Sequence, residues 1–279
     1  MKKVAIVGYA QHPILENAGA LNEVELIMPV VHQLFDELGI SQNNIDFTCS
    51  GSCDYLQGAA FAFVEGLSAI QTNPPIKESH VEMDAAWAMY ESMLKIQMGD
   101  ADTALIYGFG KSSPGRLDSI ISLQMDPYYI SPLWPDRVSL AAIQARVLLE
   151  QNIITPEQMI TAVIDARTNS KNNKNALVTE LVDKEAYLAS EKISTPLNEF
   201  DCPPISDGSS AMIIASEEKA YEFTDHPIFI EGIDHRIESS NIGSRDLSKP
   251  TGILASIEQL KLEKTKFDVA ELHTQFSHE

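Results

Sequence analysis

The stretch Lys2-Lys3-Val4-Ala5-Ile6-Val7-Gly8-Tyr9 returns in altered form as Pro227-Ile228-Phe229-Ile230-Glu231-Gly232-Ile233, and the residues after each copy decide the fold. Both are short β-branched runs carrying a glycine near the end, the composition of a buried strand. The first leads into apolar residues at helical spacing from Leu21 to Leu38, then into Asn44-Ile45-Asp46-Phe47-Thr48. The second leads into a helical stretch near Leu254 to Leu260, then into Lys266-Phe267-Asp268-Val269-Ala270. Gly8 matches Gly232 and Asp46 matches Asp268, 224 and 222 residues apart. Each unit reads strand, helix, acidic turn, strand. A nearly constant offset of that size predicts a duplicated α/β unit rather than a short-period solenoid. The first copy continues through another helix and strand, whereas the second has only Glu271 to Glu279 left, so the second half is expected to be incomplete in this chain.

Between the copies, Phe47 to Ser50 reads as a second strand feeding the turn Ser50-Gly51-Ser52-Cys53-Asp54. A helix is expected over Tyr55 to Ile70, broken at Asn73-Pro74-Pro75. An extended piece from Ile76 to Val81, a helix from Asp84 to Met98, the turn Gly99-Asp100 and a strand from Thr103 to Tyr107 come next. Alternating strands and helices predict a parallel or mixed sheet covered on both faces. Residues 114–136 are rich in Pro, Tyr, Trp and Asp, the composition of a lid or binding loop. Helices near Val138–Gln151 and Pro156–Ser170, a polar loop over 168–180, a strand from Ser209 to Ala215 and a connector over 217–226 complete the chain. The domain reading is a first half at 1–220, carrying an insertion at about 114–200, and the start of a second half at 221–279.

The net charge of −20 on 279 residues argues against binding to a phosphate backbone. A local basic groove for an anionic ligand stays open, because Lys111, Arg116, Arg137, Arg146, Arg167, Lys171 and Lys174 cluster in the central region. Three cysteines, Cys49, Cys53 and Cys202, form no paired framework, which suits a reducing compartment. The chain starts directly in a strand without an apolar leader, and it has no apolar run long enough to span a bilayer. A cytoplasmic protein with neither nucleic-acid partner nor membrane span is expected.

Chemistry concentrates in Ser79-His80-Val81-Glu82-Met83-Asp84-Ala85-Ala86-Trp87-Ala88, a strand running into a helix. Free N–H groups and the positive end of the helix dipole face whatever lies above such a junction. Two readings stay open. Ser79-x-x-Glu82 fits a capping box with Asp84 as an N-cap, while His80 beside two carboxylates also fits a titrating base. A second candidate is Glu271-Leu272-His273-Thr274-Gln275-Phe276-Ser277-His278, where an imidazole could hydrogen-bond a carbonyl oxygen. Cys49 and Cys53 lack partner ligands for zinc, and Gly108-x-Gly110 completes no phosphate fingerprint.

Taken in order, Val4-Ala5-Ile6-Val7-Gly8, His80 to Trp87, Met98-Gly99-Asp100-Ala101-Asp102-Thr103-Ala104-Leu105-Ile106-Tyr107-Gly108, Asp207-Gly208-Ser209-Ser210-Ala211 and Glu271 to Phe276 resemble the thiolase superfamily, in its lipid-transfer or sterol-carrier-protein-X-like branch. The resemblance spans essentially the whole chain. It implies a layered αβαβα fold of two similar βαβαβαββ halves, here with the second incomplete. It also implies an acyltransferase of acetyl-CoA acetyltransferase or lipid-transfer type, with no cofactor beyond the coenzyme A thioester as substrate, and a homodimer. The pantetheine arm would reach the helix N-terminus of the first half, which places Asp84 among the substrate-binding residues; Tyr128, Tyr129 and Trp134 would wall the acyl group.

One departure changes the chemistry. Counting back from Gly99 puts the family's nucleophilic cysteine at about Glu82, and no cysteine lies from 54 to 201. A carboxylate is a poorer nucleophile than the thiolate a helix dipole would activate there. His273 matches the histidine that helps hold the thioester oxygen in the family's His-Asp-x-Phe element, though Thr274 replaces the acid. The resemblance therefore makes His273, Glu82 and His80 the catalytic candidates. Relatives without the nucleophile often pair with an OB-fold, zinc-ribbon acyl-CoA-binding partner, and some cleave carbon–carbon bonds by a retro-aldol route. A retro-aldol lyase on a β-hydroxyacyl-CoA and a non-catalytic acyl-CoA- or lipid-binding subunit are the alternatives.

Overall fold

The computed structural model describes residues 2–72 and 75–279, so the helix break expected at Asn73-Pro74 lies outside the described residues. In chain order the elements are β1 (Val4–Gln11), α1 (Glu23–Leu38), β2 (Phe47–Ser52), α2 (Asp54–Gln57), α3 (Ala62–Ala69), β3 (Glu78–Glu82), α4 (Ala85–Met98) and β4 (Thr103–Lys111). Then come α5 (Leu117–Gln124), α6 (Arg137–Glu150), α7 (Pro156–Ser170), α8 (Lys184–Ala189), β5 (Lys192–Ser194), β6 (Leu197–Asn198), β7 (Asp207–Ser216), α9 (Glu217–Phe223), β8 (Ile228–Phe229) and α10 (Thr251–Leu260). They divide into two compact units, one formed by residues 1–115 with 205–233, the other by 116–204 with 234–279.

The first unit is a mixed sheet in the order β3-β2-β4-β7-β1-β8. β2 runs parallel to β3 and β4, while β7 is antiparallel to β4 and β1. Residues alternate between the faces as the pleat requires. Val7, Leu105, Tyr107, Phe109 and Ile213 pack with α1 and α3, and Val4, Phe47, Cys49, Ile106 and Ile214 pack with residues of α4. α1 forms where the pattern demands it: Leu26, Ile27, Val30, Val31, Leu34 and Phe35 make one buried stripe. Asn22 and Glu25 close a capping box at its start, and Gly39 takes the left-handed C-cap.

Several expectations are corrected. The helix from Tyr55 to Ile70 is two pieces, because Gly58 and Phe61 adopt positive φ between α2 and α3. The Asp54 carboxylate holds that break by accepting from Phe61 N at 2.6 Å and Ala62 N at 3.1 Å. Ser79 and Glu82 form no capping box, since the parallel ladder with β2 holds both in β3. The cap is Asp84 alone, which accepts from Ala86 N at 2.9 Å and Trp87 N at 3.2 Å. Asp84→Ala is expected to cost about 1 kcal/mol of stability, read as a fall in the denaturation midpoint. The aromatic stretch 114–136 holds α5, and the connector 217–226 holds α9.

The repeat does not recur as a second sheet among the described residues. Of 227–233 only Ile228 and Phe229 form a strand, bonded to β1, and 266–270 carry no strand. A lone extended segment has no ladder to satisfy its backbone, so the sequence period alone does not make it a strand. The second unit is mostly helical. Val138, Ala141, Ala142, Ala145, Met159, Leu197 and Phe276 form one core, and Ile160, Val163, Val182 and Tyr187 another. The buried Asp201 accepts from Tyr187 Oη at 2.7 Å and Asn198 N at 2.8 Å, and also from Ser277 Oγ. Among the described residues no helix is long and apolar enough to cross a membrane.

Candidate functional site

In open α/β sheets ligands collect at the carboxyl ends of parallel strands, where helices begin. At that end of the first unit the backbone of α4 lies directly on β2 and β4. A Cβ on Gly51 would overlap the Asp84 carbonyl, and one on Gly108 would come within 2.8 Å of Ala85 Cβ. Only glycine permits this approach. It opens a cavity of about 420 Å³ lined by Gln11, Ile14, Met83 to Ala86, Gly108 to Gly110 and Ser206 to Ser210. An adjoining hollow of about 290 Å³, between Tyr9, Met89, Ile106 and Met212, shares Gln11, Ala85, Ala86 and Ser210 with it and is mostly apolar. A hollow of about 470 Å³ lies at the opposite, amino end of β2, between Gln42 and Lys77, away from the helix N-terminus.

Asp207 ties the cavity rim together. Its carboxylate accepts from Ser113 Oγ at 2.6 Å, Ser113 N at 2.9 Å and Ala18 N at 2.8 Å. Burial pushes its pKa up, but these donors together outweigh burial and hold it below the ordinary 3.8. A depressed folded-state value stabilises the fold above pH 3.8, and that stability is lost as the pH falls through the lowered value. Asp207→Asn is therefore expected to lose about 2 kcal/mol at neutral pH and to flatten the acid limb of a stability-against-pH curve, measured by urea unfolding.

On the opposite face of the same strands lies a polar row. The ladder places Ser50 beside His80 on one side and beside Tyr107 on the other. Ser50 Oγ is 2.9 Å from His80 Nδ1, and His80 Nε2 is 3.4 Å from Glu82 Oε2. Glu82 Oε1 accepts from Asp54 N at 2.7 Å. Phe63 stacks on the imidazole, with centroids 4.2 Å apart and planes 8° from parallel. Tyr107 is fully buried, and burial raises its phenol pKa against the opposing influence of Ser50.

The sequence candidates thus fall into four places. His80 and Glu82 meet in the polar row, while Asp84 lines the cavity on the other face. Tyr128, Tyr129 and Trp134 are exposed in the second unit, where the Asp126 carboxylate accepts from both tyrosine N–H groups. His273 is exposed in irregular chain of the second unit. Sequence reasoning missed Ser50 as a partner of His80, because strand register rather than spacing joins them. It also missed the close approach at Gly51, whose one signal was a glycine inside a strand-to-helix turn.

No protein-family model matches the chain. Two curated relatives are archaeal acetyl-CoA acetyltransferases. That of Methanocaldococcus jannaschii is 26% identical over 99% of this chain and 74% of its own length. That of Methanothermobacter thermautotrophicus is 30% identical over 50% of this chain and 38% of its own length. Among solved structures, an Ltp2–ChsH2(DUF35) aldolase superposes with a TM-score of 0.72 at 19% identity, covering 94% of this chain and 69% of that one. The acetyl-CoA acetyltransferase of Bacillus anthracis gives 0.71 at 18%, covering 100% of this chain and 81% of that one.

The fold is that of the thiolase superfamily. No cysteine lines the cavity at the start of α4.

Proposed function

We propose that this chain is a thiolase-like, acyl-CoA-handling protein that takes a coenzyme A thioester at the carboxyl ends of β2 and β4 without forming an acyl-enzyme. The observation that carries this is the cavity at the α4 N-terminus, which is lined by hydroxyls, glycines and two acids but no thiol. Its polar mouth suits the thioester and pantetheine, and the adjoining apolar hollow suits the acyl chain. Two thiols elsewhere are poor substitutes: burial pushes Cys49 up to about 12 and raises Cys202 as well. Intact mass spectrometry after incubation with acetoacetyl-CoA and a longer acyl-CoA tests this. Binding by calorimetry without a mass adduct is expected; a stable acyl adduct would overturn the reading and restore the acetyltransferase.

A second reading, a retro-aldol lyase on a β-hydroxyacyl-CoA, places the reacting carbons at the hydrogen-bonded His80–Glu82 pair on the strand that leads into α4, rather than in the cavity on the other face of the sheet. The aldolase among the structures of this fold supports it. In that reaction the base takes the proton of the β-hydroxyl and the Cα–Cβ bond breaks. An aldehyde or ketone leaves, and the thioester enolate collects a proton. Thioester binding with no carbonyl product would leave the non-catalytic subunit. The oxyanion role of His273 belongs to this proposal; CoA-ester binding and turnover both unchanged in His273→Ala would end it. Homodimerisation, an OB-fold and zinc-ribbon partner, and a cytoplasmic location complete the proposal.

A further inference from the structure

We infer that Ser50 is a positioning residue for the acid–base pair: its hydroxyl donates to His80 Nδ1, so the imidazole carries its proton on Nε2 and presents it to Glu82. The inference deepens the lyase reading and rests on it for its functional meaning, but its geometry stands apart from turnover.

The argument is one of donors and acceptors. An ionised carboxylate only accepts, so the Glu82 contact at 3.4 Å requires a proton on His80 Nε2. A neutral imidazole then has a bare lone pair on Nδ1, and the group 2.9 Å away, Ser50 Oγ, must donate to it. Ser50 is 2% exposed, so water does not compete for that role. Its oxygen keeps lone pairs free for a donor. Tyr107, in register with Ser50 on the next strand, is a buried phenol whose hydroxyl has no hydrogen-bond partner among the described residues. An unsatisfied buried hydroxyl costs about 1–3 kcal/mol, which favours its turning toward Ser50.

The donors therefore point one way, from Ser50 through His80 to Glu82. Phe63, stacked on the ring, keeps the imidazole in the plane this direction needs. At the end of the row Glu82 is held at both oxygens, by His80 and by Asp54 N, while its side chain remains half exposed. A carboxylate fixed in this way but open to solvent can take a proton without first searching for its orientation.

The test is the long-range ¹H–¹⁵N spectrum of histidine-labelled full chain at neutral pH, with the His80 signals assigned by their loss in His80→Gln. The expected result is a neutral ring protonated on Nε2. A ring protonated on Nδ1, or an imidazolium, would overturn the proposal, and this arm needs no variant of Ser50 to fold. In Ser50→Ala the single pattern should be lost to a mixture of tautomers, and Ser50→Thr should restore it. An unchanged Nε2–H pattern in folded Ser50→Ala would equally overturn the role of Ser50. Product release from a β-hydroxyacyl-CoA is followed separately. An Nε2–H ring with no product would sink the lyase reading and leave the hydrogen-bond row standing, whereas product with an Nδ1–H ring would do the reverse.

Discussion

Gly51→Val is expected to unfold the first unit, and even Gly51→Ala should lose about 3 kcal/mol. The added Cβ would overlap the carbonyl of Asp84 and sit 2.7 Å from Ala85 N, both backbone atoms at the start of α4. A side chain can rotate out of the way, but a helix N-terminus seated on a sheet moves only as a body. Displacing it would unseat Asp84 from its cap and open the packing of Ala88, Met93 and Ile96 against Phe47, Cys49 and Ile106. Gly110→Ala, on β4 near the same rim, is the matched control. Its nearest neighbour is a flexible Gln57 amide at 3.8 Å, an ordinary contact. Chemical denaturation of the two alanine variants decides the matter, and equal midpoints would mean that α4 does not rest on Gly51.

Glu82→Gln is expected to lower release of carbonyl product from a β-hydroxyacyl-CoA by about 10²–10⁴-fold while leaving the folding midpoint within about 0.5 kcal/mol of wild type. The two effects separate because the amide keeps an oxygen for Asp54 N but cannot take a proton. Had Glu82 closed a capping box with Ser79, the same variant would have cost stability instead. With both residues in the β3 ladder that contribution does not exist. Loss of stability with unchanged product release would remove Glu82 from the chemistry.

Most of the first unit was legible because its elements are written in local code. The apolar spacing from Leu21 to Leu38 predicts α1, whose ends Asn22, Glu25 and Gly39 cap in the structure. Thr103 to Tyr107 reads as a strand, and the structure buries it in the middle of the sheet. Asp84 announces the start of α4. Local reading fails where a distant partner overrides local preference. Ser79 and Glu82 have capping-box spacing, yet β2 engages their backbone first. Tyr55 to Ile70 has helical composition, yet the carboxylate of Asp54 fixes a break inside it. Residues 227–233 and 266–270 repeat the first half in sequence, but a strand exists only where a neighbour completes its hydrogen bonds.

The amino-acid sequence by itself determined the α/β alternation, the starts of α1 and α4 and the absence of any cysteine from 54 to 201. Each of these is a property of residue types at fixed spacing along one chain. Only the tertiary structure decided that Ser50, thirty residues before His80, lies against its ring. It also separated His80 and Glu82 from Asp84, placing the pair on one face of the sheet and the cavity on the other. The physical reason is strand register. Pairing β2 with β3 residue for residue sets which side chains become neighbours, and the alternation of the pleat sets which face they share.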